Sequence, residues 1–104
     1  MGRPRHPKPD TNQSDIIEEL ESLGFYVLNV SPLASCGFDL LVCGYSRHTY
    51  RPEWLAVEVK AEGGKLTERE RKVQVSLVGM FGDEAPLIVA QAVEQVLEWF
   101  NART

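Results

Sequence analysis

The segment WLAVEVKA, residues 54–61, constrains the fold more than any other part of the chain. Side chains alternate across a β-strand, so Glu58 and Lys60 share one face, whereas Val57 and Val59 point to the other. A strand with apolar residues on both faces rarely carries charge in its middle. The two charged residues therefore indicate either a solvated strand face or a chemical role.

Hydrophobic periodicity and capping signals predict the element order αβββαβα. Four short apolar runs read as strands, and the middle two are expected to pair as a hairpin: FYVLNV, FDLLVCG, WLAVEVKA and PLIVA. We therefore predict an α/β fold with a single domain, in which a central mixed four-stranded sheet is flanked by helices.

Three amphipathic segments are predicted to be the helices. The first starts near Asp10, where the run DTN offers N-cap residues, and it ends at Gly24. Thr67 and Glu70 form a T-x-x-E capping box that opens the second helix. The expected apolar stripe of that helix is Val73, Leu77, Met80 and Phe81, and the third helix is VEQVLEWF.

Length and composition limit the classes of protein to consider. A chain of 104 residues suits one domain with a real core. No apolar run is long enough to span a membrane, and the basic N-terminus lacks the apolar segment of a signal peptide. Cys36 and Cys43 suggest no disulfide framework, and no nucleotide-binding glycine motif is present. We expect a cytoplasmic protein without a membrane partner or an organic cofactor.

The net charge of −4 disfavours a nucleic-acid-binding protein when it is taken alone, but the basic residues are clustered. Residues 1–9 include Arg3 and Arg5 and contain no acid. Three prolines in this stretch predict a mobile basic arm ahead of a domain at residues 10–104.

Two further basic groups are candidates for contact with nucleic acid. The loop GYSRHTYRP interleaves tyrosines with Arg47 and Arg51, which fits phosphate tracking and base stacking. A solvated hairpin tip explains the same loop equally well. Lys65 follows two glycines just beyond the third strand, where it is expected to reach a phosphate.

Asp39 suggests a chemical role for the pair Glu58 and Lys60 of the third strand. If FDLLVCG pairs with WLAVEVKA, Asp39 lies beside Glu58 near one end of the sheet. Two adjacent carboxylates repel unless a cation compensates them, and Mg²⁺ prefers such oxygen ligands. Lys60 then lies close enough to orient a water molecule or neutralise an attacked phosphate. The alternative is a simple ion pair between Glu58 and Lys60 on a solvated strand.

Two segments taken together resemble the core of the PD-(D/E)XK nuclease superfamily: GFDLLVCG and the later LAVEVKAEGGKLT. The likeness is greatest to its small virus-type replication and repair nuclease (VRR-NUC) domains, many of them from phages, and extends to Holliday-junction resolvases. It covers most of the chain from about Thr11, including an N-Q-x-(D/E)-I helix start at Asn12. The resemblance implies that Asp39, Glu58 and the Val59 carbonyl bind the metal and that Lys60 is the catalytic lysine.

The resemblance also implies a role for the first helix. Resolvase-like enzymes use a glutamate eleven residues before the glycine that ends this helix, and the equivalent position here is Gln13. A neutral glutamine is able to hold water or a phosphate but contributes less to cation affinity. Phe38 replaces the usual proline before the aspartate. Glu70 replaces a glutamine, and its capping role accounts for it without a catalytic one.

These observations favour a Mg²⁺- or Mn²⁺-dependent endonuclease that hydrolyses DNA phosphodiester bonds, with 5′-phosphate and 3′-hydroxyl products implied by the resemblance. Because so short a chain cannot enclose a duplex alone, we expect a homodimer that acts on branched or junction DNA in replication, recombination or repair. The alternative is a nuclease fold that has lost catalysis and serves as a DNA-binding or assembly module.

Overall fold

The structure of the protein, a computed structural model, describes residues 9–33, 37–61 and 63–102. Within these ranges the elements follow the order α1, β1, β2, β3, α2, β4, α3, and a short 3-10 turn, Gly82–Glu84, follows α2. Their bounds are α1 Pro9–Ser22, β1 Tyr26–Asn29, β2 Leu40–Tyr45, β3 Pro52–Val59, α2 Glu68–Phe81, β4 Leu87–Ala90 and α3 Val93–Ala102.

The four strands form one mixed sheet in the order β1-β2-β3-β4. The pairs β1–β2 and β2–β3 are antiparallel, whereas β3 and β4 are parallel and are connected through α2. In the central hairpin Leu40 lies opposite Val57 and Val42 lies opposite Leu55. This register places every second residue of both strands on a common face.

One face of the sheet is buried against α1 and α3. Its buried side chains are apolar, which matches the alternation in the sequence. The buried cluster comprises Ile16, Leu20, Leu40, Val42, Leu55, Val57, Val59, Ala90, Val93, Val96 and Phe100. The opposite face carries Asp39 and Glu58 at one end of the hairpin.

The end of α1 is set by a Schellman motif at Gly24. The Gly24 N–H donates to the Glu21 carbonyl, and the Phe25 N–H donates to the Leu20 carbonyl, both at 3.1 Å. Gly24 has a φ of 96°, a conformation that favours glycine. The turn directs Phe25 back to the core, where its ring centroid lies 5.0 Å from that of Phe100.

The predicted fold class and element order are confirmed, with two differences in the helices. Because α1 begins at Pro9, the predicted cap residues in the run DTN lie inside the helix. In α2, Met80 and Phe81 are 70% and 51% exposed, so the expected apolar stripe is not a buried one. The predicted basic arm, with Arg3 and Arg5, lies outside the described residues apart from Pro9. No α-helix within the described ranges has the length and apolar character to cross a membrane.

Candidate active site

The hairpin register brings Asp39 and Glu58 together, as the sequence predicts. Asp39 directly precedes Leu40 and Glu58 directly follows Val57, and those two apolar residues are paired. The Asp39 N–H donates to the Val57 carbonyl at 3.0 Å, which continues the ladder by one residue. Both carboxylates therefore lie on one face at the same end of the hairpin.

A backbone hydrogen bond orients the Asp39 carboxylate. The Val59 N–H donates to Asp39 Oδ2 at 2.9 Å, which leaves Oδ1 for another partner. The N–H and C=O of one strand residue point to the same side of the strand. The Val59 carbonyl, the third ligand that the resemblance implies, therefore faces the side on which Asp39 lies.

Glu58 is only 3% exposed, and its Oε1 has no hydrogen-bond partner among the described residues. Burial, the hydrogen bond with Glu70 and the charge of Asp39 raise the pKa of Glu58 to about 8, and Lys60 offsets only part of this effect. Glu58 is thus a buried carboxyl that carries a proton at neutral pH, and its Oε1 has no partner among the described residues.

Lys60 follows the last residue of β3 and faces two carboxyl groups. Its Nζ lies 3.4 Å from Glu58 Oε2 and 3.0 Å from Glu70 Oε1. Partial burial lowers the pKa of Lys60, but the hydrogen bond and charge of Glu70 and the charge of Glu58 outweigh it, so the pKa is raised. Because Glu58 is protonated at neutral pH, Glu70 is the charged partner of Lys60 there.

Glu70 is the member of the site that the sequence interpretation missed. It completes the predicted capping box: the Thr67 N–H donates to Glu70 Oε1 at 2.8 Å, and the Glu70 N–H donates to Thr67 Oγ1 at 3.2 Å. Partial burial raises the pKa of Glu70, but hydrogen bonds from Glu58, Thr67 and Lys60 outweigh this and lower it. The capping box fully explained Glu70 in the sequence, and only the fold shows that the same carboxylate reaches Lys60.

A cavity of about 810 Å³ opens between the β1–β2 connection and the start of α2. Both sheet carboxylates contribute to its wall, and Arg69 and Lys72 of α2 add positive charge to it. Its lining is Ser31, Leu33, Gly37, Phe38, Asp39, Glu58, Thr67, Glu68, Arg69, Glu70 and Lys72. The cavity thus presents two cationic side chains beside four acids, two of which are the paired sheet carboxylates, and this mixture could take a metal ion and an anionic substrate together.

Gln13 hydrogen-bonds to a residue of the cavity wall. Its Nε2 donates to Asn29 Oδ1 at 3.1 Å and to Ser31 Oγ at 3.3 Å, and Ser31 is part of the cavity wall. Gln13 is therefore linked to the cavity wall through its hydrogen bond to Ser31. In this arrangement the Gln13 amide orders the start of the β1–β2 connection.

The predicted basic residues are dispersed rather than gathered at the cavity. Arg47 and Arg51 are exposed in the turn between β2 and β3, at the far end of the hairpin from Asp39. With about 3.4 Å per strand residue, roughly 20 Å separates the two ends. Lys65 is exposed in the loop before α2, and Arg3 and Arg5 lie outside the described residues.

The carboxylate pair fits Mg²⁺ or Mn²⁺ better than a metal that needs a full protein cage. Among the described residues no cluster of three or more His, Cys, Asp or Glu side chains is arranged to hold a metal. Mg²⁺ usually takes one or two carboxylates and keeps water or phosphate oxygens as its other ligands. Asp39, the unpartnered oxygen of buried Glu58 and the Val59 carbonyl match that requirement.

Comparison with models of known protein families, with curated proteins and with solved structures found no match. The chain is thus an α/β protein with a mixed four-stranded sheet. A carboxylate–lysine cluster lies at one end of its central hairpin. Assignment of a function depends on that cluster and on the cavity beside it.

Proposed function

We propose that the protein is a Mg²⁺- or Mn²⁺-dependent endonuclease that hydrolyses phosphodiester bonds in DNA, as the resemblance to PD-(D/E)XK nucleases implies. The observation that carries the proposal is the convergence of Asp39, Glu58 and Lys60, with Asp39 and Glu58 on the wall of a cavity that Arg69 and Lys72 also line. A purely structural ion pair does not require the second carboxylate or the cavity.

Asp39, Glu58 and the Val59 carbonyl would hold the metal. When bound, the metal lowers the pKa of a coordinated water and stabilises charge on the phosphate. The Val59 N–H already orients the Asp39 carboxylate, so this metal-binding group is preorganised. Glu58 would bind the metal in its ionised form, because the positive charge of a cation would offset the burial that keeps the carboxyl neutral.

Lys60 acts on the reacting phosphate. Its ammonium lies 3.4 Å from Glu58 and is held by Glu70 at 3.0 Å, and it would donate a hydrogen bond to a phosphate oxygen or to the attacking water. Arg69 and Lys72, on the cavity wall, bind neighbouring phosphates. Gln13 positions the loop at Ser31 and is available to a water or phosphate from there.

Branched or junction DNA, and a homodimer, remain the proposed substrate and assembly. Arg47, Arg51 and Lys65 lie away from the cavity, where they would contact the backbone of an arm of the substrate, and Arg3 and Arg5 would add to this. The proposed compartment is a reducing cytoplasm, as the lack of a disulfide framework in the sequence suggests.

A catalytically inactive binding or assembly module is the second candidate. It is favoured by Gln13, which is neutral and whose amide is engaged with Asn29 and Ser31. Calorimetry with Mn²⁺ separates the two candidates. The nuclease proposal predicts site-specific binding that is lost in Asp39→Ala, whereas a module without a metal site gives the same trace for both proteins.

The function itself is tested by a cleavage screen. Flap, splayed, four-way-junction and linear duplex DNA are incubated with the protein and Mg²⁺ or Mn²⁺. We expect cleavage of at least one branched substrate, loss of activity in Lys60→Ala, and full activity in the control Glu94→Gln, which alters an exposed acid of α3. Cleavage that survives Lys60→Ala or chelation by EDTA would sink the proposal.

A further inference from the structure

The outer face of the sheet, opposite α1 and α3, carries three exposed aromatic rings. Tyr26 of β1, Cys43 of β2 and Trp54 of β3 lie opposite one another in one row across three strands. Side chains alternate along a strand, so Tyr45, two residues beyond Cys43, points to the same face. Tyr26, Tyr45 and Trp54 are 63%, 70% and 48% exposed. We call these three rings the aromatic platform.

The rings of the platform are clustered, whereas exposed apolar residues on an ordinary surface are scattered. The chain has three tyrosines and two tryptophans, and all the tyrosines and one tryptophan lie near the β2–β3 turn. Because neighbouring strands are about 4.8 Å apart, about 10 Å separates Tyr26 from Trp54, with only the small Cys43 side chain between them. In the described parts of the chain, the ring-to-ring contacts are in the core around Phe100. The platform rings are therefore open to a flat ligand.

The turn between β2 and β3 adds positive charge beside the platform. Arg47 and Arg51 are both exposed there. Ser46 fixes the turn, because its carbonyl accepts the Tyr50 N–H at 2.9 Å and its own N–H donates to the Arg51 carbonyl at 3.0 Å. Tyr50 has a φ of 57°, a conformation that is rare for a bulky residue and for which glycine or asparagine is the usual choice. A rigid turn thus presents two cations and a further exposed ring.

An uncharged surface leads from the platform to the cavity. On the outer face Leu28 and Leu41 lie opposite each other, next to the platform, and Leu28 is 41% exposed. The next position on this face after Leu41 is Asp39, which is part of the cavity wall. The acids of the 3-10 turn, Asp83 and Glu84, precede β4, which β3 separates from β1 and β2. The surface over β1 and β2 therefore joins the basic turn to the candidate active site.

We propose that this surface binds a single-stranded arm of the DNA substrate, with bases stacked on Tyr26, Tyr45 and Trp54 and the backbone running from Arg47 and Arg51 to the cavity. The inference rests on the proposed nuclease function and names its substrate as flap or splayed DNA. Aromatic rings stack on any exposed base, whereas the bases of a continuous duplex already stack on one another. The hairpin length of roughly 20 Å suits a site of about four nucleotides.

Fluorescence anisotropy in EDTA tests the platform without cleavage. The probes are a short labelled oligothymidylate and a duplex of the same length. We expect the single strand to bind at least about fivefold more tightly than the duplex, because it alone offers unstacked bases. Equal affinity for the two probes, or no binding of the single strand, overturns the proposal.

Ring substitutions test whether stacking accounts for this affinity. Trp54→Leu and Tyr45→Leu keep an apolar side chain but remove the ring, and each should weaken single-strand binding at least about fivefold. Trp54→Phe keeps a ring and should lose less. Phe81→Leu is the matched control, since this ring is 51% exposed but lies on α2, and it should bind like the wild type. Leucine variants that are folded by circular dichroism and bind like Phe81→Leu overturn the proposal. Because Tyr45 is the most exposed platform residue, its variant is informative even if Trp54→Leu misfolds.

Salt dependence tests where the backbone runs. Arg47→Ala and Arg51→Ala should each lower the slope of log affinity against log salt concentration by about 0.7, as expected when one phosphate contact to a single strand is lost. Trp54→Leu should weaken binding without changing this slope. Slopes that are unchanged in both arginine variants overturn the proposed path.

Cleavage in Mg²⁺ links the platform to the candidate active site. We expect splayed DNA to be cleaved with a higher kcat/KM than a continuous duplex, and Trp54→Leu to lose this preference mainly through a raised KM. Equal cleavage of both substrates by a wild type that does not bind the single strand contradicts this inference and leaves the nuclease proposal standing. Single-strand binding without cleavage of any substrate contradicts the nuclease proposal and supports the platform as a binding surface.

Discussion

The ammonium group of Lys60 lies 3.0 Å from Glu70 Oε1, so the end of β3 is linked by charge to the first turn of α2. Glu70 also accepts the Thr67 N–H, and one carboxylate thereby caps a helix and holds a lysine. The position of Lys60 is therefore determined by a residue ten places further along the chain.

Glu70→Gln is expected to separate the two roles of this carboxylate. Glutamine retains the capping box, so the free energy of unfolding should change by less than about 0.5 kcal/mol. The charge that holds Lys60 is lost, and single-turnover cleavage should slow by about tenfold. Chemical denaturation and quenched-flow assays measure the two effects on the same sample.

Thr67→Ala is the matched control, with the opposite pattern. Loss of the cap hydroxyl should lower the free energy of unfolding by about 1 kcal/mol, while cleavage at saturating metal stays near the wild-type rate. Equal losses of cleavage in Thr67→Ala and Glu70→Gln would mean that Glu70 acts on the reaction only by capping α2.

Glu58 is expected to make the free energy of unfolding fall as the pH rises. Its pKa is about 8 in the folded state and close to 4.5 in the unfolded chain. Between pH 4.5 and pH 8 the folded state binds more protons than the unfolded chain. The stabilisation that Glu58 contributes is therefore complete below the lower pKa. It decreases as the pH rises to the higher pKa, by at most about 1.4 kcal/mol per pH unit. Urea denaturation without metal, from pH 5 to pH 8, measures this slope.

Glu58→Gln should remove most of that slope, because the amide stays neutral throughout. At pH 8 the variant is expected to be more stable than the wild type, although it lacks a metal ligand. Glu94→Gln, an exposed substitution on α3, provides the baseline. A wild-type slope that persists in Glu58→Gln would place the responsible group elsewhere.

Metal binding at Asp39 and Glu58 should stabilise the fold. At a hundred times the dissociation constant, Mn²⁺ is expected to add about 2.7 kcal/mol and to raise Tm by several degrees in the wild type. Asp39→Asn should lose this gain. Its amide oxygen can still accept the Val59 N–H, so the metal-free Tm should change little. An equal Mn²⁺-dependent rise in both proteins would exclude Asp39 as a ligand.

The hydrophobic core between the sheet and helices α1 and α3 is expected to control the overall free energy of unfolding. Leu20→Ala removes a fully buried side chain of α1 and should cost about 2–5 kcal/mol in unfolding free energy. Leu23→Ala, three residues later and 54% exposed, is the matched control and should cost less than about 1 kcal/mol. Similar losses for both would contradict the assigned core.

The parts of the fold that could be predicted from the sequence depend on local chemistry. Period-two alternation places Asp39 beside Glu58, Gly24 ends α1, and Thr67 begins α2. Each of these signals involves a few neighbouring residues whose geometry leaves little choice. For the same reason, the register of the central hairpin follows from its apolar pattern.

What could not be predicted depends on distances across the fold. The role of Glu70 beside Lys60 requires α2 to start next to the end of β3, and no local pattern indicates this. The apolar positions of α2 predict a stripe, but periodicity does not show whether a surface of the same chain covers Met80 and Phe81. The distance from Arg47 to the cavity likewise depends on the length and direction of the β2–β3 hairpin in the folded chain.

The central claim is that Asp39 and Glu58 form a metal-dependent catalytic centre. Single-turnover cleavage of the best branched substrate, with saturating Mg²⁺, compares the wild type with Asp39→Asn, which keeps the hydrogen bond from Val59 but removes the charge. We predict a loss of at least about a hundredfold for Asp39→Asn, since a bound metal contributes several kcal/mol to the transition state. Equal cleavage rates for the two folded proteins would contradict the account.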